Sequence, residues 1–258
     1  MIDYSNFSLV LSGGGALGIA HLGVLEDLEN SNITPNEIVG TSMGGIIGAC
    51  LSIGLKQKDI YKLFVDFSNV FNWVKFSMHG NSVIKSSKIE KIFSDIFGSL
   101  KIKDTKIPLK IVATNLSNGD VKVFNNKSDI FIKDALLATM AIPGIFEEQS
   151  ILGTTYVDGF LSENLPINQA SLNDILAVDV LGKNSFLVDS PNNFLKIQNV
   201  FDMLEKSLRL LMYNQTKASL SKTKKNILLI EPTTKEYKTF HFHKYKEIKQ
   251  LGKNLILI

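Results

Sequence analysis

Two glycine-rich patterns hold residue types that could do chemistry together. The first, Gly40-Thr41-Ser42-Met43-Gly44, is a G-x-S-x-G between a short apolar run and a helical pattern. In that setting a serine occupies a sharp strand-to-helix turn, and its small neighbours let the turn close without a clash. The hydroxyl is thrust beyond the sheet, and unpaired N–H groups of the following helix point toward it. Ser42 is therefore a candidate nucleophile. The second pattern, Gly13-Gly14-Gly15-Ala16-Leu17-Gly18, puts three glycines ahead of a helix and offers backbone N–H groups around a concavity, an anion site. A serine beside fixed N–H donors suits acyl transfer, where an oxyanion develops. Gly13, Gly14 and Gly15 are the expected donors, with support from the Met43 N–H.

The glycine run also satisfies G-x-G-x-x-G, so a dinucleotide site must be weighed. That site needs an acidic residue at the end of the second strand. Here the strand ends in Gly40-Thr41-Ser42, and Glu37 lies at its start. No Lys-Ser or Lys-Thr follows the glycines, so the run is not a phosphate-binding P-loop either. No metal-ligand cluster is apparent, and acyl transfer of this kind needs no cofactor.

A serine hydroxyl needs a base. The histidines are His21, His79, His241 and His243. His21 falls inside the first helical pattern and reads as a packing residue, and His79 lies in a Gly-containing loop. His241 and His243 come late, and a serine–acid–histidine order would match the α/β-hydrolases. Among the acids, Asp158 follows a strand pattern and precedes Gly159, as a site residue on a tight turn would. An ordinary Asp-Gly turn is the plainer explanation.

The elements that must position these residues follow from periodicity. Phe7 to Leu11 reads as a buried strand, Ala16 to Asn30 as a helix, Glu37 to Gly40 as a strand and Met43 to Leu55 as a helix. Strand alternating with helix predicts a parallel α/β sheet whose strands finish at one edge, bringing the glycine loop and Ser42 together. Further helices are expected at Gln57 to Phe67, Ser86 to Phe97, Asp129 to Met140, around Phe194 to Leu220, and from Lys244 to Ile256. Further strands are expected at Leu109 to Asn115, Val121 to Phe124, Tyr156-Val157, Asp174 to Val180 and Asn226 to Ile230. No linker interrupts the pattern, so residues 1–258 are expected to form one domain.

Composition narrows the function classes. The 258 residues include 45% hydrophobics and 21% charged residues, ample for a packed core. The formal charge is only +3, and Arg209 is the sole arginine, which argues against specific nucleic-acid recognition. Weak attraction to an anionic membrane surface stays open, with Lys222, Lys224 and Lys225 as a small basic cluster. Cys50 alone cannot form an intramolecular disulfide, and the amino terminus lacks a basic region before an apolar stretch. A cytoplasmic location, peripheral at a membrane at most, is expected. Ile38 to Leu55 is uncharged with glycines four apart, but it is short and broken by Gly, Ser and Thr, which weighs against a membrane helix. The aromatics Phe64, Phe67, Phe71, Trp73 and Phe76 read first as packing, with a lipid-facing lid as the alternative.

Six ordered segments resemble the patatin-like phospholipase family: GGGALG from Gly13, AHLGVL from Ala20, GTSMGG from Gly40, ATNLSNG from Ala113, ATMAIPGIF from Ala138 and VDGFLSENLP from Val157. The resemblance implies a three-layer α/β/α fold with a largely parallel central sheet. It also implies a lipid acyl hydrolase of phospholipase A or lysophospholipase type, acting through a Ser42–Asp158 dyad without histidine on a lipid or phospholipid. Two positions depart from the family pattern. Leu17 stands where the family usually has Arg or Lys, and Phe160 where the D-G-[GA] motif has a small residue. These departures motivate an alternative, a catalytically weak lipid-binding or regulatory protein that keeps the pocket. Phe242 to Leu255 resembles the family's closing helix, with Gly252 in its middle.

Overall fold

The computed structural model describes residues 2–65, 87–186 and 197–256. Strand β1 (Phe7–Leu11) leads into a 3-10 segment (Gly15–Ala20) and helix α1 (His21–Asn30). Strand β2 (Glu37–Thr41) and helix α2 (Met43–Ser52) follow, then helix α3 over 57–65 and α4 (Ser87–Phe97). The middle of the chain supplies β3 (Leu109–Asn115), β4 (Val121–Phe124), α5 (Ile132–Thr139), β5 (Gln149–Ile151), β6 (Thr154–Asp158) and the short α6 (Phe160–Glu163). Strand β7 (Asp174–Val178), the long helix α7 (Ile197–Lys222), β8 (Asn226–Ile230) and α8 (Tyr245–Gln250) complete it.

The sheet runs β5-β6-β3-β2-β1-β7-β8, with β4 also paired to β3. Strands β8, β7, β1, β2 and β3 are mutually parallel. The apolar run of β1 is buried throughout, as a central strand covered on both faces requires. Alternation then divides the core. Leu9, Leu11, Ile38, Ile111 and Leu176 face one large cluster with α1, α2, α4 and α5, while Val10, Val39, Val112 and Ala177 face a smaller one with Leu165, Ile167 and Ala170.

One feature of the register positions the site. Ile111 and Val112 pair with both β2 and β4, so those strands lie on opposite edges of β3. Ala113 and Thr114 pair with both β4 and β6, so β6 lies on the β2 edge. Parallel β2 stops opposite Val112, and antiparallel β6 arrives opposite Ala113. The carboxyl ends of β2 and β6 therefore meet head to head, with Ser42 following one and Asp158 ending the other.

Two expectations are corrected, for the first helix and the closing helix, and the one for the stretch from Ile38 holds. The helix expected over Ala16 to Asn30 begins as 3-10 turns, because the tighter segment must slide under α2: a side chain on Gly18 would lie 2.8 Å from Met43 Cβ. The closing helix is regular only over Tyr245–Gln250. Gly252 lies beyond it, in the turn that brings the backbone onto Gly23 of α1. The uncharged stretch from Ile38 forms β2 and α2, and among the described residues no helix is long and apolar enough to cross a membrane. Of the aromatic stretch, Phe64 is buried in the main core; its other aromatics and His79 lie outside the described residues.

Candidate active site

Ser42 adopts φ +51° and ψ −122°, a conformation that non-glycine residues avoid at a cost of about 1–3 kcal/mol. The surroundings enforce it. The Ser42 N–H donates to Thr139 Oγ1 at 2.8 Å, and the Thr139 hydroxyl donates to the Val112 carbonyl. A side chain on Gly40 would meet the Gly44 backbone at 2.5 Å, so the elbow closes only with glycine there. Strain held by a neighbour's hydroxyl turns the Ser42 side chain off the strand end, as the G-x-S-x-G spacing implies.

The Asp158 carboxyl reaches the same place from β6 and is fully buried. Its Oδ1 accepts the Phe160 N–H at 3.0 Å, while Oδ2 has no hydrogen-bond partner among the described residues. Burial pushes its pKa up to about 7, against the opposing pull of the Ser42 hydroxyl and the Phe160 N–H. The hydroxyl is thus near enough to stabilise the carboxylate without completing a bond to Oδ2.

The glycine loop lies alongside. Gly15 adopts φ +54°, which suits glycine, and the Thr239 carbonyl oxygen sits 2.5 Å from where a Cβ would be. Gly13 does not serve as expected: its N–H donates to the Asn164 carbonyl at 3.2 Å. No hydrogen bond among the described residues engages the N–H of Gly14, Gly15 or Met43. The free amides are therefore two from the loop and one from the start of α2. Ser42, Met43 and Gly15 open into a pocket whose other walls are Ile46, Met140, Ile142, Phe146, Phe240 and Phe242, almost wholly apolar.

The described histidines do not partner Asp158. His21 is buried beneath the loop with Nε2 2.9 Å from the Ser12 carbonyl, and burial lowers its pKa to about 4. His241 Nδ1 accepts the Lys238 N–H at 3.1 Å, and neither it nor His243 bonds to Asp158. Among the described residues no group of three or more His, Cys, Asp or Glu is placed to hold a metal.

The sequence model of the family described as patatin-like phospholipase matches residues 9–171, well over half of the chain. The chain belongs to the patatin-like phospholipase family. Relatives named lysophospholipase NTE1 include those of Debaryomyces hansenii, 26% identical over 98% of this chain, and Candida albicans, 25% identical over 95%. The chain spans only 18% and 19% of those proteins' lengths. VipD from Legionella pneumophila superposes with a TM-score of 0.53 at 15% identity, covering 96% of this chain and 65% of VipD, and so shares the fold.

Both departures from the patatin-like pattern have clear places in the structure. Leu17 is buried in the main core, away from solvent. Phe160 packs its ring against that core and gives its backbone N–H to Asp158, so its bulk does not line the pocket. Sequence reasoning missed Thr139, which props the elbow, and Asn164, which occupies Gly13. Both lie inside the segments that carry the family resemblance, but nothing in their residue type announced the role.

Proposed function

We propose that this chain is a serine hydrolase of lipid acyl esters, with Ser42 as nucleophile and Asp158 as its base. The observation that carries the reading is a strained, pocket-lining serine beside a buried carboxyl that keeps one oxygen free and has no histidine partner among the described residues. Asp158 takes the Ser42 proton as the oxygen attacks the ester carbonyl carbon. The carbonyl electron pair moves onto oxygen, where the N–H groups of Gly14, Gly15 and Met43 stabilise it. Collapse breaks the ester bond, and Asp158 returns the proton to the leaving alkoxide. Water then loses a proton to Asp158 and attacks the acyl-serine; the acyl–Oγ bond breaks, Asp158 returns that proton to Ser42 Oγ, and the fatty acid leaves. A base with a pKa near 7 is matched to this exchange at neutral pH.

The apolar pocket beside Ser42 supports an acyl chain as the recognised group. Relatives that bear the name lysophospholipase favour a one-chain lipid as the substrate. Purified protein incubated with lysophosphatidylcholine should release free fatty acid, and Ser42→Ala should reduce this to background with an unchanged circular dichroism spectrum. Fluorophosphonate should label the wild type and not the variant. Folded wild-type protein that neither labels nor hydrolyses would leave the lipid-binding alternative; turnover in Ser42→Ala would refute the assignment.

A further inference from the structure

The glycine loop carries no charged side chain, and its backbone is held from outside. The Ala16 N–H donates to the Thr239 carbonyl at 2.8 Å, and the same residue's backbone crowds Gly15. Thr239 is itself held at one atom. Glu205 Oε1 accepts its N–H at 2.8 Å and its hydroxyl at 2.8 Å. That oxygen also accepts Arg209 Nη2 at 2.6 Å, and Nη2 donates to the Tyr237 carbonyl at 2.7 Å. Arg209 Nη1 reaches the Ser185 carbonyl at 2.6 Å. A continuous chain of bonds thus runs from α7 through the segment 237–239 to the turn that presents Gly14 and Gly15.

Arg209 is the only arginine and is almost completely buried. A buried guanidinium is an expensive way to fill space, since an apolar side chain of similar volume often serves stability as well or better. What it supplies that an apolar group or lysine does not is a planar fork that meets several fixed acceptors at once. Just beyond the segment 237–239, Phe240 and Phe242 wall the apolar pocket. We propose that Arg209 is a positioning residue for the reaction: through Glu205 and Thr239 it locks the glycine loop in the form that leaves the Gly14 and Gly15 amides facing the reacting carbonyl. This rests on the acyl-transfer reading of that loop.

The test uses Arg209→Ala, Arg209→Lys and Glu205→Gln, with turnover of p-nitrophenyl butyrate expressed per serine labelled at completion by fluorophosphonate. Misplaced amides stabilise the oxyanion less, so kcat should fall about thirtyfold in Arg209→Ala and about tenfold in Glu205→Gln. KM should stay within about threefold, and affinity for a trifluoromethyl ketone, which forms an oxyanion on Ser42, should fall alongside kcat. Arg209→Lys should not restore the rate, whereas millimolar guanidinium should restore Arg209→Ala severalfold. Should Arg209→Ala fail to fold, Glu205→Gln decides. Wild-type kcat per labelled serine, or a change confined to KM, overturns the role of Arg209 while leaving Ser42 chemistry standing. Turnover that survives Ser42→Ala removes the underlying reading instead.

Discussion

Two buried aspartates stand at the carboxyl ends of strands in the same sheet, and they differ in what their oxygens do. Asp158 closes β6 in the context Val157-Asp158-Gly159, and Asp179 follows β7 in the context Val178-Asp179-Val180. Burial pushes the first up to about 7 and the second up to about 6. Asp179 is fully engaged: Oδ1 accepts the Leu181 N–H at 3.0 Å, Oδ2 accepts the Thr216 hydroxyl at 3.2 Å, and the Ser12 hydroxyl stabilises its charge further. Among the described residues, Asp158 keeps Oδ2 unpartnered beside Ser42. A satisfied carboxylate anchors a loop, whereas an unsatisfied one is available to take a proton.

The sharpest break of this comparison is a pair of isosteric substitutions. Asp158→Asn should lower kcat on the order of a thousandfold, because an amide cannot accept the Ser42 proton. Asp179→Asn should stay within about fivefold, since an amide can accept from Leu181 and reorient toward the Thr216 hydroxyl. Stopped-time assays on purified, folded protein separate the two, and equal losses would erase the distinction. Next in size is the pH dependence. Log kcat/KM should climb with pH and level off above about 7, the ionisation of Asp158 in the free enzyme. A limb near 4 would mean that the carboxyl titrates as though exposed.

Stability should respond in the opposite sense. Both carboxyls hold protons in the folded protein at pH values where the unfolded chain has already released them, near 4. Their contribution is therefore whole below pH 4 and is lost as pH rises through about 6 and about 7. Asp158→Asn should raise the urea midpoint at pH 8 and leave it almost unchanged at pH 4, a difference on the order of a few kcal/mol. Asp179→Asn should gain less, because it gives up charge-assisted bonds. The smallest expected effect is Thr216→Val, which removes one donor from Asp179 and should cost about 0.5–1.5 kcal/mol by urea denaturation with kcat unaltered.

Features set by adjacent residues were readable in advance. The elbow at Ser42, the turn after β1 and the parallel start of the sheet follow from strand, glycine and helix in immediate succession. Asp158 stood out from an ordinary Asp-Gly turn only through the family resemblance, since its meeting with Ser42 depends on β2 and β6 sharing an edge of β3. No local pattern encodes a pairing between strands so far apart in the chain. Strand β5 is too short to announce itself, and the diversion of Gly13 toward Asn164 depends on a carbonyl from a distant turn. Arg209, Glu205 and Thr239 carry no motif at all; only the folded backbone brings them into line.

The most direct trial of the dyad is the rate of fluorophosphonate labelling followed across pH in the wild type, in Asp158→Asn and in a His241→Ala/His243→Ala double variant. The wild type and the histidine double variant should share one ionisation near 7, and Asp158→Asn should label at least a hundredfold more slowly at every pH, about what a general base contributes. Labelling of Asp158→Asn at the wild-type rate, or its collapse in the histidine variant, would show that another group activates Ser42.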